Sequence, residues 1–217
     1  MKRTGQAHGQ TVVVLGAGGT GLYMARCLAR TPGWTCAGFL DDDPHKRKSG
    51  WGGLPVLGGL ATWSRLDVGV LFLSSLYGAK RMRDFAALVD ALEIPARRWA
   101  TFIDPQAAVL PGAGTGKGVF VGPGCVVEPG AQLGGRSALL GNVYVAHHSR
   151  LGAYVACANS ASIAGGVRIG KNTFIGANAT VREYLHIGAH AVVGMGAVVV
   201  KPVAAGATVA GNPARPL

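Results

Sequence analysis

The chain has 217 residues, 35 of them glycine, with 49% hydrophobic, 7% aromatic and only 14% charged side chains. The hydrophobic share is too high for a chain that cannot collapse, and 11 prolines are too few for a collagen-like triple helix, so another repeat must account for the glycine. The 21 Lys and Arg exceed the 10 Asp and Glu by +11, yet no run of four basic residues occurs and aromatics do not interleave with the charges. This argues against a nucleic-acid groove and favours a small anionic ligand such as a nucleotide or coenzyme A.

The opening MKRTGQAHGQ lacks the apolar core of a signal peptide. The longest apolar-looking stretch, 187–200, is interrupted by His190 and too short to span a bilayer. Cys27, Cys36, Cys125 and Cys157 show no CxxC or zinc spacing, so free thiols in a reducing, cytoplasmic setting are expected. Val12–Leu15 reads as a strand entering the glycine-rich loop GAGGTG, and Leu22–Ala29 as the helix that follows. Cys36–Leu40 is a second strand ending in Asp41-Asp42-Asp43. Pro44–Trp63 is expected to be a surface loop holding one short strand at Pro55–Leu57. Val68–Leu73 is a third strand, and Ala79–Leu92 a helix with Met82, Phe85, Val89 and Leu92 at helical spacing. The order implies a small parallel sheet covered by helices over residues 1–100.

From about residue 105 the period changes to six. Stepping from Val109 by six reaches Val199 in sixteen positions, fourteen of them Val, Leu or Ile, without a slip. Glycine follows immediately in eight of the sixteen, and a small or β-branched residue stands two before in every repeat except at Leu185. A hexapeptide of this kind supplies one short strand and one corner, with the aliphatic inward and the following glycine taking the positive φ of the turn. Three hexapeptides make a triangular coil, so residues 101–217 read as a parallel β-solenoid of about five coils.

The uninterrupted array ending in VVGMGAVVVKPV and AGNPAR, preceded by VVVLGAGGTG and FLDD, resembles the sugar acetyltransferases of the PglD/NeuD type. These belong to the left-handed β-helix (hexapeptide-repeat) acyltransferases. The resemblance covers Thr11 to Arg215 and implies a Rossmann-like nucleotide-sugar-binding domain, a left-handed β-helix, a homotrimer and acetyl-CoA as co-substrate, with no metal. It also implies roles residue by residue. His147, in His147-His148-Ser149-Arg150-Leu151-Gly152, matches the general base, an apt use of an imidazole that titrates near neutral pH. Gly165, one coil later, matches a glycine whose amide steadies the acetyl oxyanion, or else is a plain turn glycine. Ala156, Ala177 and Met195 match positions lining the coenzyme groove, and Lys201 lies where its phosphates would bind, unless it serves only solubility. Gly18, Gly19 and Thr20 open a helix suited to phosphate. Asp41 and Asp42 are placed to accept hydrogen bonds from a ribose or base, and Ser74 closes the acceptor site; a dinucleotide would use the same loop.

Five positions depart from that pattern. Thr20 replaces a histidine, Ser74-Ser75 replace Gly-Asn or Gly-Asp, and Leu140 replaces an asparagine. His148 replaces the carboxylate that normally follows the base. The acetyl donor side is therefore better matched than the acceptor side, and a non-sugar acceptor or a binding protein without turnover remains the alternative. A zinc site of the β-helix carbonic anhydrase kind is disfavoured because Glu183, not histidine, lies two coils after His147.

Overall fold

The computed structural model describes residues 9–79 and 81–217. The N-terminal segment 1–8, most of the stretch read above for a leader, lies outside the described residues.

Four strands, β1 (Gln10–Leu15), β2 (Trp34–Leu40), β3 (Val56–Gly58) and β4 (Leu71–Ser74), form one parallel sheet in the order β3-β2-β1-β4. From Val12 onward β1 is apolar because both faces of this central strand are covered there: Val12, Val13, Val14 and Leu15 are all fully buried. Helix α1 (Gly19–Ala29) begins within the glycine-rich loop, three residues earlier than the apolar pattern indicates. The expected loop after β2 contains a helix instead, α2 (Pro44–Ser49). Its PHKRKS sequence has no apolar stripe; it folds because Asp43 caps it, accepting from the His45 N–H at 2.9 Å, and Pro44 presets the first turn. The third strand starts at Leu71 rather than Val68, since Asp67 accepts from the Gly69 amide in a turn that leaves Val68 in solvent. Helix α3 (Met82–Ala91) follows.

From Phe102 the chain coils. Seventeen two-residue strands, Phe102–Ile103 through Val198–Val199, recur every six residues and stack in parallel with partners 18 residues away, as in Gln132 with Arg150 and Tyr144 with Ser162. They build three flat faces, here first (from Phe102–Ile103), second (from Ala108–Val109) and third (from Gly114–Thr115) in chain order. The arrangement fits a left-handed β-helix. The repeat's aliphatic and the residue two before it both point inward, so Val119, Val121, Cys125, Val127, Val143 and Val145 are fully buried in a continuous core.

The glycines work differently from the sequence reading. Positive φ falls three residues after the inward position of each repeat up to Val193, at Gly112, Gly118, Gly124, Gly130, Arg136, Asn142, His148, Tyr154 and onward to Gly196. The glycine immediately after the aliphatic is required by crowding: a Cβ on Gly152 would lie 2.7 Å from the backbone nitrogen of Lys171 in the next coil. The final coil is shorter. Ile187 bridges to Val203 and Val192 pairs with Thr208, sixteen residues on, and Arg215–Pro216 folds back antiparallel on Thr208–Ala210.

The two halves meet on the first face. Phe102 and Phe120 stack at 5.4 Å, Trp34 packs edge-on to Phe102 at 5.1 Å, and Tyr23 packs edge-on to Phe120. Arg30 pairs with the buried Asp104 across the same junction. All four cysteines are free and buried, and no described helix is long and apolar enough to cross a membrane.

Candidate functional site

The 18-residue coil stacks every corner on the corner below, so chemistry at one edge is read by adding 18. The edge between the second and third faces carries Pro129, His147, Gly165, Glu183 and Lys201 in one column. The Gly166 N–H donates to the His147 carbonyl at 2.9 Å, which fixes the registry. Gly165 lies against the imidazole: a Cβ there would meet His147 Cε1 at 2.6 Å and Nε2 at 2.7 Å. The Gly165 N–H itself donates to nothing among the described residues.

His148 occupies the left-handed corner, with φ 58°. That conformation swings its ring back alongside its neighbour, and the two Nδ1 atoms stand 3.1 Å apart with the rings at 77°. A hydrogen bond at that distance requires one Nδ1 to donate and the other to accept. When His148 accepts, His147 carries its proton on Nδ1 and its Nε2 lone pair is free. Below the pair, Glu128 accepts the His147 backbone N–H at 2.8 Å and also the Tyr144 hydroxyl. The tyrosine bond first, then the amide, hold the Glu128 carboxyl below its ordinary pKa. Glu128 and Tyr144 went unnoticed in the sequence, although Glu128 is one coil before Ala146 and thus beneath the histidine pair.

Ala177 and Met195 stack one coil apart on the other edge of the second face, with unengaged N–H groups among the described residues, and Met195 is 81% exposed. Lys201 lines a cavity of about 410 Å³ with Pro202, Ala214 and Arg215. Ala156 is buried in the first face, between Ala138 and Phe174. One chain therefore brings together His147, His148 and Gly165, but leaves Ala177 and Met195 across a whole face from them.

In the N-terminal half a second cavity of about 410 Å³ gathers Gly18, Gly19, Thr20, Asp41 and Asp42, as the sequence indicates, and adds Lys46, Tyr77, Arg81 and Phe85. Ser74 is not in its wall; Ser75 is, its hydroxyl donating to the carbonyls of Leu15 and Gly16. Asp41 is already engaged. It accepts from the Ala17 N–H at 2.7 Å, the Asp43 N–H at 2.9 Å and Lys46 Nζ at 3.2 Å. Burial pushes its pKa up, but the Asp43 and Ala17 amides and the Lys46 ammonium outweigh this, and the net shift is downward. Asp41 thus shapes the glycine-rich loop, while Asp42 spends only Oδ1, on the Leu60 N–H. Lys46 was hidden because its helix has no apolar signature. Arg81, stacked on Phe85 at 4.5 Å, was hidden because it precedes α3.

A family model described as the hexapeptide repeat of succinyl-transferase matches residues 166–201. No curated protein matches the chain. Among solved structures, the acetyltransferase domain of PglB from Neisseria gonorrhoeae in complex with acetyl coenzyme A is 31% identical, over 96% of this chain and 100% of that one, with a TM-score of 0.82. PerB from Caulobacter crescentus, in complex with CoA and GDP-perosamine, is 28% identical over 95% of this chain and 97% of that one, with a TM-score of 0.83. WeeI from Acinetobacter baumannii is 26% identical over 95% and 99%, with a TM-score of 0.79.

Proposed function

This chain belongs to the hexapeptide-repeat sugar acetyltransferases, and on that footing we propose that it transfers the acetyl group of acetyl-CoA to a nucleotide-linked amino-sugar destined for a surface polysaccharide or glycan. Its N-terminal 100 residues act as a Rossmann-like domain for the nucleotide, and residues 101–217 as the left-handed β-helix that carries the transfer.

The observation that carries this reading is the stack of the His147 imidazole against Gly165, whose backbone amide has no acceptor among the described residues. The acceptor nitrogen attacks the thioester carbonyl while His147 Nε2 takes the proton it sheds. The oxyanion of the tetrahedral intermediate accepts the Gly165 N–H, and collapse breaks the C–S bond to release CoA as its thiolate, which recovers a proton. His148, neutral, accepts the His147 Nδ1–H and stabilises the imidazolium in place of the usual carboxylate. Glu128 and Tyr144 anchor the corner that holds the pair.

The coenzyme's pantetheine arm lies along the free amides at Ala177 and Met195, with Lys201 beside its phosphates and Ala156 behind the pocket wall. Because those amides sit one face away from His147, a complete site takes one edge from each of two neighbouring copies, which supports a homotrimer. The glycine-rich loop, Gly18, Gly19 and Thr20, with Lys46 and Arg81 nearby, receives the diphosphate; Asp42 takes the ribose or base, with Asp41 fixing the loop and Ser74 behind it. An acetyl-CoA donor fits a cytoplasmic enzyme.

The competing reading, a protein that binds these ligands without turnover, draws on the histidine standing where a carboxylate is usual. Free-thiol release from acetyl-CoA, measured with a panel of UDP-, GDP- and dTDP-amino-sugars, tests both. Release with one member identifies the acceptor. Binding of acetyl-CoA and a nucleotide-sugar with no release across the panel overturns the catalytic reading.

A further inference from the structure

On the edge between the third and first faces, the left-handed corner residues Arg136, Tyr154, Asn172 and His190 stack in a column. The lower two are held by α3 and its surroundings, although the buried Arg136 Nε has no partner among the described residues. Tyr154 donates to Asp90, and Arg136 pairs with Asp90 at 3.6 Å while lying over the rings of Trp99 and Tyr154. The upper two face open space instead. A cavity of about 610 Å³ separates the start of α3 from the coil there, with Met82, Arg83 and Asp84 on one wall and Asn172, His190 and Thr208 on the other.

Asn172 is 91% buried, yet its Oδ1 has no partner among the described residues, and neither does the buried Nδ1 of His190. Buried polar atoms are normally satisfied, so two orphans on one cavity point to an occupant. The local charge says which kind. Burial first, then the positive charges of Arg83 and Lys171, hold the His190 pKa below its ordinary value, while Asp84 is the only carboxylate among the lining residues. Arg83 at the exposed rim favours negative charge in an occupant, a His190 Nδ1–H would donate to it, and the Asn172 oxygen calls for a donor. A carboxylate lacks the donor and water lacks the charge; a protonated phosphate has all three. The volume exceeds what phosphate alone would fill, and Met82 and Val192 give the remainder an apolar side.

We propose that this cavity binds a phosphate monoester, its anionic oxygens held by Arg83 and His190 and its P–OH donating to Asn172 Oδ1. The site is separate from the residues assigned to acetyl transfer and to the nucleotide cavity, so it stands whether or not that reading does.

Inorganic phosphate and glucose 1-phosphate, titrated into 15N-histidine-labelled full-length protein, provide the test. The His190 signals are identified by their loss in His190→Asn, a substitution that tolerates the left-handed corner. Both probes should shift His190, and Arg83→Gln, on the exposed side of α3, should weaken that response about tenfold or more, the worth of a charge-assisted hydrogen bond. Lys46→Gln, which alters the nucleotide cavity, should leave the response intact. No His190 response to either probe, an equal response to acetate, or full affinity in Arg83→Gln would overturn the proposal.

Discussion

Replacing Gly165 by alanine separates the placement of the imidazole from every other property of the site. The backbone at Gly165 is not left-handed, so alanine carries no strain there. Its amide N–H also survives the change. The new Cβ, however, would sit 2.6 Å from His147 Cε1, whereas ordinary contacts begin near 3.4 Å. The obstruction is the far end of a side chain, so the ring gives way, by about 0.8 Å, rather than the coil. A displacement near 1 Å costs on the order of 10²-fold in rate, or about 2.7 kcal/mol of transition-state stabilisation. The expected result is a fall in kcat of about that size, with unchanged KM for acetyl-CoA and unchanged Tm. The assay is thiol release with the amino-sugar that the panel identifies, alongside calorimetric unfolding. A variant with kcat within about twofold of the parent would refute the idea that His147 works from the position seen here.

His147→Ala should lower kcat by about 10²–10⁴-fold in the same assay, the weight of a general base. His148→Glu should raise the rate in that assay by restoring a permanent acceptor for the His147 Nδ1–H, and a fall in rate would show that His148 has a role of its own. Gly152→Ala sets a Cβ against the backbone of Lys171, which has nowhere to move, and should cost about 1–3 kcal/mol, or roughly 2–4 °C of Tm per kcal/mol, by calorimetry. Asp41 has a depressed pKa in the fold, so its contribution to stability is present at neutral pH and is lost as the pH falls through the carboxylate range. Urea midpoints followed from pH 7 to about 3 should drop more steeply in the parent than in Asp41→Asn.

The hexapeptide register was legible because each repeat answers to the same inward-facing demand: the aliphatics from Val109 to Val199 all close a strand of the coil. What the glycines were for was not legible. Composition shows glycine after the aliphatic, but the left-handed position lies two residues further on and tolerates His148, Tyr154 and Asn172, so no single residue type marks it. The pairing of His147 with Gly165 followed from the period of 18 alone. The contact of His148 with His147 did not, since it depends on the corner's φ. In the N-terminal half, apolar runs revealed the central strands, while α2 was set by one capping carboxylate and a proline rather than by periodicity. Ser74 and Ser75 differ only in which of the two extends past the strand end into the cavity, a one-residue distinction that hydropathy does not resolve.

The antiparallel return of Arg215–Pro216 onto Thr208–Ala210 bears on how the molecule avoids its own kind. A pile of parallel strands at this spacing offers, at its top, a ladder of backbone groups ready to receive another copy, the geometry of a growing fibril. Here the shortened last coil breaks the registry, the returning segment occupies the first face's ladder, and Pro216 has no N–H to offer a further strand. At the opposite end Ala100 donates to Phe72, tying the chain to the sheet of the other half just before the first coil begins. A solenoid stoppered at its C-terminal end cannot be lengthened there by another parallel coil, and its flat faces are left for side-by-side contact.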